Sequence, residues 1–231
     1  MKGYSTDRIN TMFSRIAGVY DFMNDIISLG THRQIRKKLI DIAEIKPDYK
    51  ILDCATGTGT LAVMMYRASG GRAQITGIDN CHEMLEIARK KHHHTHIRWI
   101  YGDCHSLPFP DKTFDLTTIA FGIRNMEDPL QVLKEMARVT KSGKKVIILE
   151  GGKPHIYFLP LFYVYSFIYL PFVGALFARN PAAYLYLGRS IKSFYSMDEF
   201  LELMKKSELF TEVTGTSFAG GICYICSGKV R

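Results

Sequence analysis

The chain has 231 residues, a length that favours one large domain over two small ones. Hydrophobic residues make up 47% and charged residues 23%, which excludes a disordered, collagen-like or coiled-coil protein. The formal net charge of +8 suits an anionic partner, either nucleic acid, acidic lipid or a phosphate-bearing substrate. The five cysteines are an odd number and widely spread, so no disulfide framework is expected. The polar first residues lack the apolar stretch of a secretory signal, and we expect a cytoplasmic protein.

Predicted helices and strands alternate along the middle of the chain. Residues 1–45 are predicted to be helical, with Thr31 as the cap of a helix that carries the basic run 32–38. Strands are predicted from Ile51 and over 74–78, 97–101, 114–120 and 145–150, with helices over 61–68, 82–92 and 129–139 between them and Gly143 closing the last helix. This alternation predicts an α/β protein whose mostly parallel sheet has helices on both faces.

The C-terminal part is predicted to complete the sheet. The capping-box pattern Ser196 to Glu199 opens a helix that runs to about Lys206. Two further strands, over 210–216 and 222–227, would bring the sheet to seven strands and end it in a hairpin.

Residues 156–178 carry no charge over 23 positions, which is long enough to cross a bilayer. Pro160, Pro171 and Gly174 interrupt this stretch, and its hydroxyl groups need partners, so a membrane span is disfavoured. The alternatives are a buried pair of core helices and an aromatic lid or trough for an apolar substrate. We favour the trough.

A glycine-rich loop follows the first predicted strand. Gly57 and Gly59, with Ala62 three positions later, match the Rossmann-like dinucleotide fingerprint, and Asp79 follows about twenty residues downstream. Glycine lets the backbone turn tightly and approach a ligand closely. Asp79 could accept hydrogen bonds from both hydroxyls of a ribose. The loop alone permits either NAD or S-adenosyl-L-methionine (SAM).

Acidic residues at three strand ends favour SAM. Asp53 precedes the loop, where a carboxylate would repel a pyrophosphate but attract the ammonium of a methionine moiety. Asp103 follows the third strand and could accept a hydrogen bond from an adenine amino group. Three carboxylates, at 53, 79 and 103, suit a cationic nucleoside without phosphate.

Six further motifs are specific enough to compare with known families. They are Asp53-x-Ala55-x-Gly57-Thr58-Gly59, Gly77-Ile78-Asp79, Leu107-Pro108-Phe109-x-Asp111, Phe121-Gly122-Ile123-Arg124-Asn125, Tyr20-Asp21-x-Met23-Asn24 with Ser28, Gly30, His32 and Arg33, and Tyr184-x-Tyr186-Leu187 with Ser190, Ile191 and Phe194. With these motifs the sequence resembles the quinone-biosynthesis C-methyltransferases, which are class I SAM-dependent enzymes that methylate demethylmenaquinol or a polyprenyl benzoquinol. The motifs extend over nearly the whole chain. The resemblance implies a single methyltransferase domain with a helical cap (1–45), a SAM-binding core (46–152), an apolar substrate-side insertion (153–195) and a C-terminal helix and hairpin (196–231).

The predicted cofactor site combines the loop, the strand ends and the family motifs. Its residues are Asp53, Gly57, Thr58, Gly59, Asp79, Asn80, Asp103, Cys104 and Ala120. Compared with the family, Thr60 replaces an acid, Ala120 replaces a serine, Ile35 replaces an aromatic residue, and Gly151-Gly152 replace an aromatic residue and a serine. These differences leave open a methyltransferase acting on another small molecule or lipid, or a non-catalytic SAM-binding scaffold.

C-methylation of a quinol requires an ionised ring oxygen and a methyl group held in line. The candidates for catalytic roles at the polar end of the pocket are Tyr20, His32, Arg124 and Asn125. The guanidinium of Arg124 stays protonated, so it would hold a water or stabilise an oxyanion and would not act as an ordinary base. No metal site is predicted, because the histidines at 92–94 and 96 lie at the expected exposed end of a helix.

The expected partners follow from the substrate. A prenylated quinol would place its tail against the aromatic stretch 156–178, and Arg33, Arg36, Lys37 and Lys38 would attract acidic lipids. We therefore expect a cytoplasmic protein of menaquinone or ubiquinone biosynthesis that associates peripherally with the membrane. No nucleic-acid partner is expected, and a homodimer is left open.

Overall fold

The apolar runs of the sequence form one sheet in the computed structural model, which describes residues 6–231. Its strands are β1 (Lys50–Cys54), β2 (Gln74–Asp79), β3 (Arg98–Tyr101), β4 (Phe114–Ala120), β5 (Thr140–Gly151), β6 (Phe210–Phe218) and β7 (Cys223–Val230). The order is β3-β2-β1-β4-β5-β7-β6, with β7 antiparallel to both of its neighbours and the other pairs parallel. The predicted seven-stranded, mostly parallel Rossmann-like sheet with a terminal hairpin is confirmed.

Helices cover both faces of this sheet. They are α1 (Thr6–Ile16), α2 (Tyr20–Ser28), α3 (Thr31–Ala43), α4 (Thr60–Ala68), α5 (His82–Lys91), α6 (Pro129–Val139), α7 (Leu159–Val164), α8 (Leu170–Ala178), α9 (Pro181–Ser193) and α10 (Met197–Lys206). Apolar residues of α6 and α10 pack in one core cluster with Leu52 of β1, whereas those of α3 and α4 pack with Ile51 in another. Adjacent strand residues therefore face opposite layers, as a pleated strand requires.

Two predicted helix starts are confirmed by their hydrogen bonds. The backbone N–H of Glu199 donates to the Ser196 hydroxyl at 3.3 Å, and the Glu199 carboxylate accepts from the Ser196 N–H at 2.7 Å, which completes the capping box. Pro129 occupies the first turn of α6, where Asp128 accepts from the N–H of Gln131 at 3.0 Å.

Two predicted helix boundaries are wrong. Thr31 is the first residue of α3 and not its cap, because Gly30 occupies the cap position with φ of +75° and the Thr31 hydroxyl donates to the Ser28 carbonyl. Gly143 does not close α6, which ends at Val139. It lies inside β5 with φ of +74°, where the pairing register with β4 shifts. A glycine bulge in a strand and a helix-ending glycine look alike in the sequence.

The aromatic insertion forms helix over its whole length, with a π-helical turn (Tyr165–Tyr169) joining α7 to α8. In the described part of the chain it is the one helix that is long and apolar enough to cross a membrane. Only 28% of its most apolar 18-residue segment is buried. Phe162 and Leu170 face the protein. The large apolar side chains left exposed are Ile156, Tyr157, Phe158, Leu161, Tyr163, Val164, Ile168, Tyr169, Phe172, Leu176 and Phe177. The alternative of a buried helix pair is therefore wrong.

Candidate functional site

The glycine-rich loop lies between the end of β1 and the start of α4. Gly57 and Gly59 have φ of +57° and +82°, in the left-handed region that favours glycine. A Cβ on Gly59 would lie 2.5 Å from Cη2 of Trp99, whereas one on Gly57 would meet no atom within 4 Å. Position 59 therefore requires glycine because a side chain there would clash with Trp99. At position 57 a side chain would meet open space.

Asp79 holds the loop from the neighbouring strand. Its Oδ2 accepts from the Gly57 N–H at 2.8 Å and its Oδ1 accepts from the Cys81 N–H at 2.9 Å. Each oxygen retains a lone pair, so the carboxylate can still accept from two ligand hydroxyls. Burial raises the pKa of Asp79 above its usual value.

A small cavity of about 70 Å³, the loop cavity, opens beside this carboxylate. The predicted site residues that line it are Gly57, Asp79, Asn80 and Ala120 from the cofactor set and Tyr20 and Asn125 from the catalytic set. Ile9, Asn10 and Phe13 of α1 also line it, which the sequence did not predict. The N-terminal helix therefore covers the cavity.

Asp53 lies beneath the loop and not in the cavity wall. Its carboxylate is buried and accepts from the hydroxyls of Thr56 at 2.7 Å and Thr118 at 2.8 Å. Burial raises its pKa from 3.8 to about 6, although both hydroxyls oppose this shift. The structure thus puts its charge under the loop, without opening it to a ligand.

Thr58 ties the loop to the N-terminal helices. Its hydroxyl donates to Oδ1 of Asp21 at 2.6 Å, and the same oxygen lies 3.4 Å from the hydroxyl of Thr60. The other oxygen of Asp21 accepts from Lys91 of α5. Asp21 therefore fastens α2 to the loop and to α5.

The pair after β3 lies outside the wall of the loop cavity. Asp103 is half exposed, and its Oδ1 accepts from the backbone N–H of His105 at 2.9 Å. Cys104 is buried close to Cys54 in the core. Neither residue meets the other predicted cofactor residues in the cavity.

A second cavity of about 490 Å³, the apolar cavity, lies on the other side of Tyr20 and Phe121. These two residues line both cavities, so they form the boundary that the cavities share. Leu161, Phe162 and Leu170 of the aromatic insertion form part of the apolar wall. This geometry supports the trough interpretation of the insertion.

Arg124 lines the apolar cavity, and hydrogen bonds hold its Nη1 and Nε. Its Nη1 donates to Oε1 of Glu150 at 2.5 Å and to the Phe121 carbonyl at 2.8 Å, and its Nε lies 3.4 Å from Oγ of Ser190. The carboxylate of Glu150 is wholly buried and also accepts from the Arg124 backbone N–H at 3.1 Å. Burial opposes the charge of Arg124, but Glu150 outweighs it and raises the pKa.

Asn125, the next residue after Arg124, lies in the wall of the loop cavity. Its Oδ1 accepts from the Tyr186 hydroxyl at 3.0 Å, and its Nδ2 lies 3.5 Å from the Phe121 carbonyl. Arg124 and Asn125 therefore both donate hydrogen bonds to the carbonyl of Phe121, which lies at the boundary of the two cavities.

His32 enters the apolar cavity from α3. The Nδ1 atom of His32 accepts a hydrogen bond from Nη1 of Arg36, so the ring proton of His32 is on Nε2. The Nε2–H group donates to Oδ1 of Asp25 at 2.7 Å. Burial lowers the pKa of His32, and Arg36 adds to this effect. The imidazole is thus neutral and has both nitrogens in use.

Arg36 was expected on the basic surface, and this prediction is wrong. The side chain is 6% exposed and lines the apolar cavity. His32, Arg36, Leu39 and Ala43 recur at helical spacing on one face of α3, and three of these four are buried. That periodicity could have identified Arg36 as an interior residue.

The loop cavity has the features that a nucleoside with a methionine tail requires. Gly57 leaves space for close backbone approach, and Asp79 offers two acceptors for ribose hydroxyls. Phe13 and Met84 supply apolar walls. Among residues 6–231 no group of three His, Cys, Asp or Glu could hold a metal ion.

Comparison with solved structures agrees with the fold. A SAM-dependent methyltransferase from Thermotoga maritima has a TM-score of 0.64 at 20% identity, covering 96% of this chain and 99% of that one. A SAM-dependent methyltransferase from Aquifex aeolicus has a TM-score of 0.60 at 18% identity, covering 85% and 89%. These likenesses establish a methyltransferase fold.

Comparison with curated proteins is more specific. The ubiquinone/menaquinone biosynthesis C-methyltransferase UbiE of Bdellovibrio bacteriovorus is 40% identical over 226 residues, 96% of each chain. The demethylmenaquinone methyltransferase of Bacillus licheniformis is 37% identical over 217 residues, 93% of each chain. The model of the ubiE/COQ5 methyltransferase family matches residues 1–229. With a SAM-type loop, a matching fold and a family match along almost its entire length, the chain belongs to the ubiE/COQ5 methyltransferase family and is a SAM-dependent methyltransferase.

Proposed function

We propose that the protein methylates a ring carbon of a prenylated quinol, and that this quinol is demethylmenaquinol rather than a benzoquinol. The observation that carries the proposal is the meeting of a SAM-type cavity with a large apolar cavity at Tyr20 and Phe121. The curated relatives named demethylmenaquinone methyltransferase favour a naphthoquinol head group.

Bound SAM supplies an electrophilic methyl group on a sulfonium. The ring carbon beside an ionised hydroxyl provides the electron pair of the new C–C bond, the C–S pair stays with sulfur, and the ring proton then leaves to water. Tyr20 reaches both cavities and can hydrogen-bond the quinol at their junction. Arg124 and Asn125 hold the Phe121 carbonyl, and so keep the junction aligned.

The apolar cavity suits an isoprenoid tail. Its wall includes Leu161 and Leu170, and each CH₂ group buried there contributes about 0.8 kcal/mol. Leu29, which is 84% exposed, and Leu161, which is 65% exposed, also line it, so it opens onto the exposed apolar surface of the insertion. A tail can therefore enter from an apolar phase.

We also propose that this surface associates peripherally with acidic membranes. Exposed apolar patches of this extent mark interaction sites in soluble proteins. Lys37 and Lys38 are exposed on α3, which also contributes Thr31 and Ile35 to the apolar cavity, and each cation near an acidic bilayer adds about 1 kcal/mol.

Sedimentation with vesicles tests the membrane proposal. Wild-type protein should pellet with phosphatidylglycerol vesicles, and Phe172→Glu should weaken this binding by placing a charge in the apolar surface. Thr216→Glu on exposed β6 is the matched control and should bind as wild type does. Full recovery of the wild type in the supernatant would contradict the proposal. A concentration-dependent dimer in sedimentation velocity that Phe172→Glu abolishes would assign the surface to a second copy of the chain.

An anaerobic assay tests the reaction itself. Wild-type protein, SAM and chemically reduced demethylmenaquinone should give a quinone with one added methyl group by mass spectrometry. Tyr20→Phe should lower kcat with SAM binding intact, while Tyr66→Phe on α4 should change neither. Measurable SAM binding without methylated product would refute the proposed substrate.

A further inference from the structure

The wall of the apolar cavity contains a buried cation that no carboxylate contacts. Arg36 is 6% exposed, and no carboxylate of the described residues lies within 4 Å of its guanidinium. Its Nε is buried and has no hydrogen-bond partner within the described chain. Arg124, in the same cavity wall, differs because Glu150 balances its charge. A buried charge without a carboxylate in contact is costly, so proteins rarely keep one without a use.

A chain of neutral and charged groups orients this cation. Arg36 donates to Nδ1 of His32, and His32 donates to Asp25, which also accepts from Arg33 at 2.5 Å. The group in direct contact with Arg36 is thus an uncharged imidazole. It fixes the direction of the guanidinium and leaves its positive charge in place.

The cation lies close to where the cavities meet. Its Cζ is 5.3 Å from the ring centroid of Phe121, which lines both cavities. Tyr20, the other shared residue, is also within electrostatic range of Arg36, as are the carboxylates of Asp53 and Asp21, neither of which contacts it. The charge therefore lies beside a residue that borders both cavities.

We propose that Arg36 binds the ionised hydroxyl of an aromatic substrate, an aryl oxide, in the apolar cavity. This inference rests on the proposed function and deepens it by assigning the group that favours the ionised quinol. A positive charge in a water-poor site stabilises an adjacent oxyanion more strongly than it would in water. The guanidinium lies in the cavity wall and supplies the positive counter-ion that an aryl oxide needs.

His32 is then a positioning residue. Its Nδ1 lone pair is occupied by Arg36, so it is not available to take a proton from the substrate. In this proposal His32 orients Arg36 and does not have the catalytic role that the sequence predicted for it.

A titratable probe tests the inference without methyl transfer. The naphthol 2-prenyl-1-naphthol absorbs differently when ionised, so its pKa can be measured while it is bound to the full-length protein. Wild-type protein should lower this pKa by about one to three units, the shift typical of an opposite charge at close range. Arg36→Met should abolish the shift, and Arg36→Lys should restore a large part of it. Arg67→Met removes an exposed cation from α4 and should leave the shift unchanged.

Binding of SAM and circular dichroism establish that each variant is folded. Retention of the wild-type shift by Arg36→Met, or no shift in the wild type, would overturn the inference. The quinol assay separates the two proposals. A wild type that methylates the quinol while Arg36→Met is equally active would remove the role of Arg36 and leave the proposed function standing. A normal naphthol shift with no methylation of any quinol would overturn the proposed function and retain the aryl-oxide site.

Discussion

Replacing Asp53 with asparagine is expected to stabilise the protein at neutral pH. The carboxylate is completely buried, and in the described chain two threonine hydroxyls are its side-chain partners. Burial raises its pKa from 3.8 to about 6. An ionised carboxylate at this place therefore costs folding free energy, and asparagine has a similar shape without the charge.

The size and the pH window of the effect follow from the pKa shift. A difference of about two units corresponds to about 3 kcal/mol, since each unit is worth about 1.4 kcal/mol. Because the folded state holds this proton more tightly than the unfolded state, the favourable contribution is complete below pH 4 and is lost as pH rises through 6. Asp53→Asn should therefore raise the free energy of unfolding by about 3 kcal/mol at pH 7.5, and by little at pH 4.

Urea unfolding of wild type and variant at both pH values measures this difference. Asp115→Asn is a control of opposite sign, because hydrogen bonds from Lys141 and the Lys50 backbone N–H, together with the charge of Lys144, outweigh burial and lower the pKa of Asp115. The ionised Asp115 carboxylate stabilises the folded state at pH 7.5, and this stabilisation is lost as pH falls through the lowered pKa. Asp115→Asn should therefore be less stable than the wild type at pH 7.5. Loss of the Asp53 charge beneath the loop should also weaken SAM binding. An Asp53→Asn variant that is destabilised at pH 7.5, or equally stabilised at both pH values, would refute the reasoning.

Three other substitutions probe the loop, the buried ion pair and the apolar cavity. Gly59→Ala should destabilise the protein by about 2–4 kcal/mol in thermal unfolding, because its Cβ would clash with Trp99 at a left-handed φ. Glu150→Gln should cost about 3–5 kcal/mol in urea unfolding, because it leaves Arg124 buried without its counter-charge. Gly151→Phe should raise KM for the quinol with SAM affinity unchanged, because Gly151 lines the apolar cavity and a side chain there reduces its volume.

Each of these substitutions has a matched control. Gly57→Ala also places alanine at a positive φ, but its Cβ would meet no atom within 4 Å, so it should cost less stability than the change at 59. Glu202→Gln breaks an exposed pair with Lys206 and should leave the free energy of unfolding close to that of the wild type. Gly151→Ala adds one methyl group and should leave KM near the wild-type value. Equal losses in a control and its partner would contradict the explanation given for that site.

The order of the central elements was predictable because each buried strand is a short apolar run between helical patterns. Strand β4 and helix α6 match their predicted bounds, since Phe114–Ala120 is continuous and Pro129 marks the helix start. The approach of α1 to the loop cavity was not predictable, because it depends on packing between residues about 70 positions apart, such as Ser14 and Cys81. Local patterns specify local structure, whereas such contacts depend on the tertiary fold.

The candidate site was predictable where a motif fixes the backbone, as at Gly57 and Asp79. The site was less predictable where the direction of a side chain decides whether the residue reaches a cavity. Asp103 lies at the expected strand end but outside the wall of the cavity, and Arg36 stands in a run of basic residues although it faces inward. Charge composition alone does not distinguish a solvated arginine from one in a cavity wall.

The opening of the apolar cavity between Leu29 and Leu161 has a kinetic consequence. An enzyme that takes its quinol through this opening from a bilayer responds to the mole fraction of quinol among the lipids, and not to its concentration per volume of solution. SAM, dissolved in water, would obey the usual bulk rate law in the same assay. Adding inert lipid at fixed total quinol would therefore slow the reaction by surface dilution, while the apparent affinity for SAM would stay constant.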